Sequence, residues 1–149
     1  MEFFPELDVG AMEAEAIARG LYAVAKVDGV HERELALISE FYSWAEAEKA
    51  FSTALIERVG ALSPQDVASM LRGSQLRELF VKTAYLLAWS DGQVSPGERS
   101  KITEYAQALE VSTEAQSKLE AQVKDFLIRS LAGLSNVEAV SAVAKKMGL

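Results

Sequence analysis

One short pattern occurs twice in this sequence, and the duplication constrains the fold more than any other feature. Asp28-Gly29 aligns with Asp91-Gly92 at an offset of 63 residues, and after a one-residue gap Glu34 aligns with Glu98 at an offset of 64. Each copy is typical of a helix, an Asp-Gly turn and a second helix that opens with glutamate. A helical hairpin cannot bury its apolar side alone, so two copies predict two similar halves that pack face to face.

The match extends beyond the turns. Aromatic, small and aliphatic residues also coincide, and the copies span about residues 11–47 and 75–109. The period of about 63 residues is too long, and two copies are too few, for a solenoid. The coinciding pairs are Tyr22 and Tyr85, Ala25 and Ala88, Ile38 and Ile102, and Phe41 and Tyr105.

Serine residues mark several helix starts. Ser63-Pro64 and Ser95-Pro96 each place a capping serine before a proline at the first helical position. An acid follows each serine three residues later, as it does at Ser135, which is the spacing of a capping box. Between these marks apolar residues recur at helical spacing. We predict helices near residues 10–27, 31–47, 49–60, 63–72, 75–90, 95–109, 112–132 and 135–147.

The fold class follows from these helices. No strand-like alternation competes with the helical spacing, and no linker or low-complexity stretch divides the 149 residues. Half of the residues are hydrophobic and a quarter are charged, which is typical of a globular chain. The sequence predicts a single all-α domain over residues 1–149, a compact bundle of about seven to eight helices with an internal pseudo-two-fold repeat. Its aromatic residues are predicted to lie in the core.

The acids of the two turns have a structural interpretation. Glycine ends a helix at little conformational cost, and an adjacent aspartate can accept hydrogen bonds from nearby backbone N–H groups. Glu34 and Glu98 fall in the first turn of the following helix, where a carboxylate meets the positive end of the helix dipole. Under this interpretation the four acids, Asp28, Glu34, Asp91 and Glu98, are turn and cap residues.

The same acids also suggest a cation site. The spacing from Asp91-Gly92 to Glu98 matches the second half of an EF-hand calcium loop. The first half is missing, because Leu87 and Trp89 stand where oxygen ligands are needed. A true EF-hand is therefore excluded. Calcium takes about six to eight oxygen ligands, so one turn could hold it only weakly, or with help from carbonyls, water or the other turn.

The duplicated pattern resembles the tellurite-resistance TerB-like family. It reads Ala25-Lys26-Val27-Asp28-Gly29 to Glu34 to Ile38, and Ala88-Trp89-Ser90-Asp91-Gly92 to Glu98 to Ile102, and the resemblance covers about residues 10–145. It implies a bundle of about seven helices with pseudo-symmetry, an acidic surface that binds divalent cations, and a role in stress response rather than catalysis. Its candidate metal ligands are Asp91, Glu98, Asp28 and Glu34.

The first copy departs from the family pattern. Its spacer is one residue shorter and contains Arg33, so the second turn is the stronger candidate for a cation. The same helical module also resembles the N-terminal region of membrane-anchored DnaJ-type co-chaperones. No His-Pro-Asp signature of a J-domain is present, which argues against chaperone activity in this chain.

Composition and motifs narrow the functions further. The net charge of −7 disfavours nucleic acid as a partner. The chain has no cysteine and no apolar run that could span a membrane, so we expect a cytoplasmic protein. Peripheral association with a membrane complex stays open. His31, the single histidine, is interpreted as an exposed residue at a helix start, and no catalytic motif is present.

Two functions are carried forward. The first is a non-catalytic, stress-response interaction module of the TerB-like kind that binds a divalent cation weakly, with calcium preferred. The second is a protein–protein adaptor without metal, in which the Asp-Gly turns are purely structural. Both require a protein partner that the sequence does not identify. A metal-dependent hydrolase built on a carboxylate cluster is the weakest alternative.

Overall fold

The computed structural model describes residues 10–29, 32, 34–38, 60–89 and 94–132, and all regular structure within them is helical. Residues 32 and 34–38 are helical, and a 3-10 turn, Lys26–Asp28, follows the first helix. The prediction of an all-α fold is confirmed for this part of the chain. The helices are α1 (Ala11–Ala25), α2 (Pro64–Met70), α3 (Ser74–Ala88), α4 (Pro96–Ala108) and α5 (Thr113–Ala132).

These five helices begin and end within two residues of their predicted limits. The predicted helix at 31–47 is described only in part, and those at 49–60 and 135–147 lie outside the described residues, Gly60 excepted. His31 also lies outside them.

The predicted serine caps are present at two helix starts. The hydroxyl of Ser63 accepts the backbone N–H of Asp66 at 3.1 Å, and that of Ser95 accepts the backbone N–H of Glu98 at 3.0 Å. A proline occupies the first turn of each helix, as predicted. Each cap satisfies a backbone donor that has no partner within its own helix. The spacing at Ser135 lies outside the described residues.

Helix α3 lies at the centre of the described bundle. It packs against α1, α4 and α5, and α2 packs against α1 and α4. Because neighbours surround its second half, nearly every side chain there is buried, including that of Phe80. The Phe80 ring lies 5.3 Å from the Tyr105 ring of α4, measured between centroids. Burying a phenylalanine side chain contributes about 1.5–3 kcal/mol.

Most of the aromatic residues predicted to lie in the core are described, and all of these are buried. They are Tyr22, Phe80, Tyr85, Trp89 and Tyr105. Phe41 and Trp44 lie outside the described residues. The predicted aromatic core is therefore confirmed for its described members.

Arg77 of α3 joins the C-terminal ends of two other helices. Its guanidinium donates to the backbone carbonyls of Ala68 at 3.0 Å, Leu71 at 2.6 Å and Leu109 at 3.1 Å. The last carbonyls of a helix have no partner within it, and a cation is favoured there by the helix dipole. One side chain thus caps α2 and α4 together and fixes both against α3.

A second cross-link involves the phenol of Tyr105, whose hydroxyl donates to the Leu62 carbonyl just before α2. Burial, with smaller effects from the charges of Glu104 and Asp66, raises the pKa of Tyr105 to about 12. The phenol therefore stays a hydrogen-bond donor across the physiological pH range.

No described helix is both long enough and apolar enough to cross a bilayer.

Candidate functional site

The first Asp-Gly turn closes α1. The backbone N–H of Lys26 donates to the Tyr22 carbonyl, and the chain continues as a 3-10 turn to Asp28. Gly29 follows with φ 86° and ψ 135°, a conformation that residues with a Cβ rarely adopt. Glycine is therefore required at this position by the backbone, as the sequence predicts. The Asp28 side chain lies outside the described part of the structure.

This first turn also contacts the other copy of the pattern. The 3-10 turn packs against α4, the helix that opens with Glu98. Residues of the first copy and a helix of the second therefore lie side by side. The sequence predicts that the two halves pack face to face, but the specific contact of this turn with α4 could not be predicted, because the pattern describes each copy separately.

The second turn is described on its two flanks. At the end of α3 the backbone N–H of Trp89 donates to the Tyr85 carbonyl. Tyr85 and Trp89 stand 63 residues after Tyr22 and Lys26, which form the same bond in the first copy. Asp91 and Gly92 lie outside the described residues, so the predicted ligand Asp91 stays a prediction.

Glu98 forms the predicted capping box with Ser95. Its carboxylate accepts the Ser95 backbone N–H at 3.1 Å, while its own backbone N–H donates to the Ser95 hydroxyl. The Glu98 side chain is buried. The structural interpretation of Glu98 as a cap residue is therefore confirmed.

Glu34 has a comparable setting in the first copy. It lies in the helical stretch 34–38 and is 5% exposed, close to the 7% of Glu98. Ile38 and Ile102, four residues further along in each copy, are completely buried. Both copies therefore place a buried glutamate one turn before a buried isoleucine. Among the described residues, no three acidic or histidine side chains come close enough together to hold a metal ion.

A polar cluster beside the second turn was missed by the sequence analysis. The carboxylate of Glu120, on α5, accepts the indole N–H of Trp89 at 3.0 Å. It also accepts two hydrogen bonds from Arg99, at 2.9 and 2.8 Å. The ammonium group of Lys124 lies over the Trp89 ring, 4.7 Å from its centroid. No local pattern could reveal this cluster, because Glu120 is 21 residues from Arg99 and 31 from Trp89.

The cluster shifts the ionisation of its members. Burial acts to raise the pKa of Glu120, but hydrogen bonds from Arg99 and Trp89 and the charges of Arg99 and Lys124 outweigh it, so the pKa lies below its usual value. The hydrogen bond to Glu120 raises the pKa of Arg99, because it favours the charged guanidinium. Burial and the Glu120 charge raise the pKa of the neighbouring Tyr85. Glu120 and Arg99 are therefore an ion pair at neutral pH.

A cleft of about 380 Å³ lies elsewhere, between the start of α3 and the loop from α4 to α5. Arg72, Arg77, Glu78 and Glu110 supply its charged groups, and Leu109 is among its apolar residues. Charges of both signs line it, and neither Glu34 nor Glu98, the two predicted ligands whose side chains are described, is among its lining residues. The cleft is thus separate from these two glutamates.

Comparison of the sequence with models of protein families finds no match, and searches of curated proteins and of solved structures find none either. The TerB-like assignment rests on the duplicated pattern and stays a prediction.

Proposed function

We propose that this chain is a non-catalytic interaction module of the TerB-like, stress-response kind, and that its two acidic turns bind a divalent cation weakly. Calcium is the preferred ion, and Asp91, Glu98, Asp28 and Glu34 are the proposed ligands. Cation binding adjusts the packing of the helices at the turns and thereby a surface that contacts a protein partner. The observation that carries the proposal is the matched placement of Glu34 and Glu98 beside the two turns.

The helices support the proposed internal repeat. α1 and α3 each have 15 residues, and their first and last positions differ by 63, the offset of the Asp-Gly pairs. The capping bonds at their C-terminal ends also correspond. These equivalences favour a bundle built from two related hairpins.

Burial supports a role for the glutamates. A carboxylate is costly to remove from water unless hydrogen bonds or a cation compensate it. Both copies bury a glutamate in a helical stretch that follows the turn, and a hydrogen bond from the Ser95 N–H compensates Glu98 in part. The presence of a buried glutamate in both halves fits a ligand role in addition to a capping role. One carboxylate has two oxygens and about four acceptor sites, so it can accept a capping hydrogen bond and still bind a cation.

The contact of the first turn with α4 supports a shared site. Calcium takes about six to eight oxygen ligands, more than one aspartate and one glutamate supply. Oxygens from two neighbouring segments, together with backbone carbonyls and water, come closer to that number. Weak binding is the expected consequence, because the proposed carboxylates come from two separate turns, and backbone carbonyls and water must complete the shell.

A titration followed by backbone amide NMR tests the proposal. The protein is titrated with calcium, magnesium, manganese and zinc while the amide signals are followed. We expect calcium to move the signals around Gly29 and Gly92 in a saturable way. The absence of any change there at millimolar metal would overturn the cation part of the proposal.

Glu98→Gln isolates the ligand role from the capping role. Glutamine is also accepted in a capping box at this position, so the helix start is retained while the charge is removed. We expect weaker calcium binding with little loss of stability. Glu114→Gln is the matched control, because Glu114 is an exposed acid in the first turn of α5. It should bind calcium as the unsubstituted protein does.

The second candidate is a protein–protein adaptor that uses no metal. It is favoured by one observation, the hydrogen bond from the Ser95 backbone N–H to the Glu98 carboxylate. This bond gives Glu98 a structural role without any ion. Under this proposal the double substitution Asp91→Asn with Glu98→Gln leaves the set of proteins captured by the tagged chain unchanged, with or without a chelator. The cation proposal predicts that chelation alters that set.

A further inference from the structure

The carboxylate of Glu120 connects two points of the chain that flank the second Asp-Gly turn. Trp89 precedes Asp91 by two residues, and Arg99 follows Glu98 directly. Both donate to the same carboxylate, Trp89 through one hydrogen bond and Arg99 through two. Helix α5 thereby sets the separation between the end of α3 and the start of α4.

Attachment of α5 to the bundle does not require this cluster. Leu119 and Val123 on the same helix are buried and already pack against the core. An ion pair between the Glu120 carboxylate and an Arg99 side chain that is 47% exposed adds little to stability, because solvent screens the guanidinium and desolvation of the carboxylate offsets much of the attraction. The Glu120 side chain is only 15% exposed. Three directional hydrogen bonds fix the relative positions of the groups that they join, which an apolar contact does not. Here those groups are Trp89 and Arg99, on the two flanks of the turn.

Among the described residues, the first copy has no counterpart of this arrangement. The residues equivalent to Trp89 and Arg99, at offsets of 63 and 64, are Lys26 and Leu35. Lys26 is exposed, with its ammonium group 5.9 Å from the centroid of the Tyr22 ring. Leu35 has no side-chain donor. The two turns therefore differ in what holds their flanks, as well as in spacer length.

We propose that Glu120 is a positioning residue that holds both flanks of the second Asp-Gly turn and couples cation binding at Glu98 to helix α5. Glu98 is adjacent in the chain to Arg99, so a cation bound by Glu98 acts on the segment that Glu120 holds. By the reciprocity of linked equilibria, an intact cluster favours the cation and the cation favours the cluster. The coupling rests on the proposed function, whereas the positioning of the flanks does not.

The positioning is tested without metal. The Trp89 indole N–H gives an NMR signal that is assigned by its loss in Trp89→Phe. We expect hydrogen exchange of this group and of the Arg99 backbone amide, which is bonded to the Ser95 carbonyl at 3.0 Å, to become faster in Glu120→Gln. Asp125→Asn is the matched control, because it removes one negative charge from the same helix at an exposed ion pair. Equal exchange rates in both variants would overturn the positioning role.

The coupling is tested by calcium titration of the same proteins. Glu120→Gln should weaken calcium binding about fivefold to tenfold, at the low end of coupling between sites. Asp125→Asn should leave it nearly unchanged. Trp89→Phe, which keeps the ion pair and removes one hydrogen bond, should weaken binding to a smaller extent, and it serves as the test variant if Glu120→Gln does not fold.

The two proposals fail in distinguishable ways. If the unsubstituted protein binds calcium and Glu120→Gln or Trp89→Phe binds it equally well, the coupling is overturned and the proposed function stands. If no amide signal of the unsubstituted protein responds to calcium, the cation proposal and the coupling both fail. The exchange measurements then still decide whether Glu120 positions the flanks of the turn.

Discussion

The Phe80 ring of α3 occupies the space that a side chain at Gly20 of α1 would need. A Cβ atom at position 20 would lie 2.6 Å from Cε2 of Phe80 and 3.2 Å from Cγ2 of Val67. Such contacts force a shift of neighbouring atoms. Glycine at this position allows α1 to approach α3 closely enough for Phe80 to be completely buried.

Gly20→Ala is therefore expected to destabilise the protein. Overpacking costs about 1–3 kcal/mol, and the better helix propensity of alanine returns ~1 kcal/mol of this. We expect the free energy of unfolding in urea to fall by about 1 kcal/mol, and by no more than about 2 kcal/mol. In a Phe80→Leu background the same change should cost less, because the ring is absent. Equal costs in both backgrounds would contradict the contact.

Arg77 is expected to be a major determinant of stability. Arg77→Met removes three hydrogen bonds and leaves partly buried carbonyls without a donor, at a cost of about 2–4 kcal/mol. Glu110→Gln is the control, because Glu110 is 86% exposed and lies 3.8 Å from the guanidinium. It should change the free energy of unfolding by less than about 0.5 kcal/mol. A large effect of Glu110→Gln would assign the role of Arg77 to the ion pair instead.

Glu110 has a left-handed backbone and is expected to be improved by glycine. Its φ is 58°, and it follows α4 in a Schellman motif. In this motif the backbone N–H of Val111 donates to the Ala106 carbonyl, and the backbone N–H of Glu110 donates to the Gln107 carbonyl. Glycine is preferred at this position. Glu110→Gly should raise the free energy of unfolding by about 0.5–1 kcal/mol, and the thermal midpoint should rise with it. Glu110→Ala, which removes the same carboxylate, should give no such gain.

The contribution of Glu120 to stability is expected to depend on pH. Its pKa in the folded protein lies below the unfolded value of about 4.5. The ionised form therefore favours folding at neutral pH, and this contribution is lost as pH falls through the folded-state pKa. The stability difference between the unsubstituted protein and Glu120→Gln should be constant from about pH 7 to pH 5.5 and shrink below about pH 4.5. A constant difference down to pH 3 would contradict the ion pair.

Helix limits and caps could be predicted because they depend on neighbouring residues. Ser95 with Glu98 satisfies backbone donors within a single helical turn, so the spacing contains the whole interaction. The positive φ of Gly29 was predictable for the same reason, since it is a property of the local backbone. The burial of Tyr22 and Tyr85 followed from their apolar, helical spacing. The caps and the Gly29 conformation depend on few neighbouring residues, whereas the burial of the two tyrosines also requires the helices that cover them.

The relations that only the tertiary structure decided join residues that are distant in the chain. Glu120 with Trp89, Arg77 with Leu109, and the first turn with α4 arise from how the helices are arranged in space. Hydrophobic spacing specifies which face of a helix is buried, but several neighbours could cover that face. The local patterns, capping serines and the Asp28-Gly29 turn, thus indicated by themselves where described helices end and begin. The structure decided that the two flanks of the second turn share one carboxylate, because helix packing brought α5 beside them.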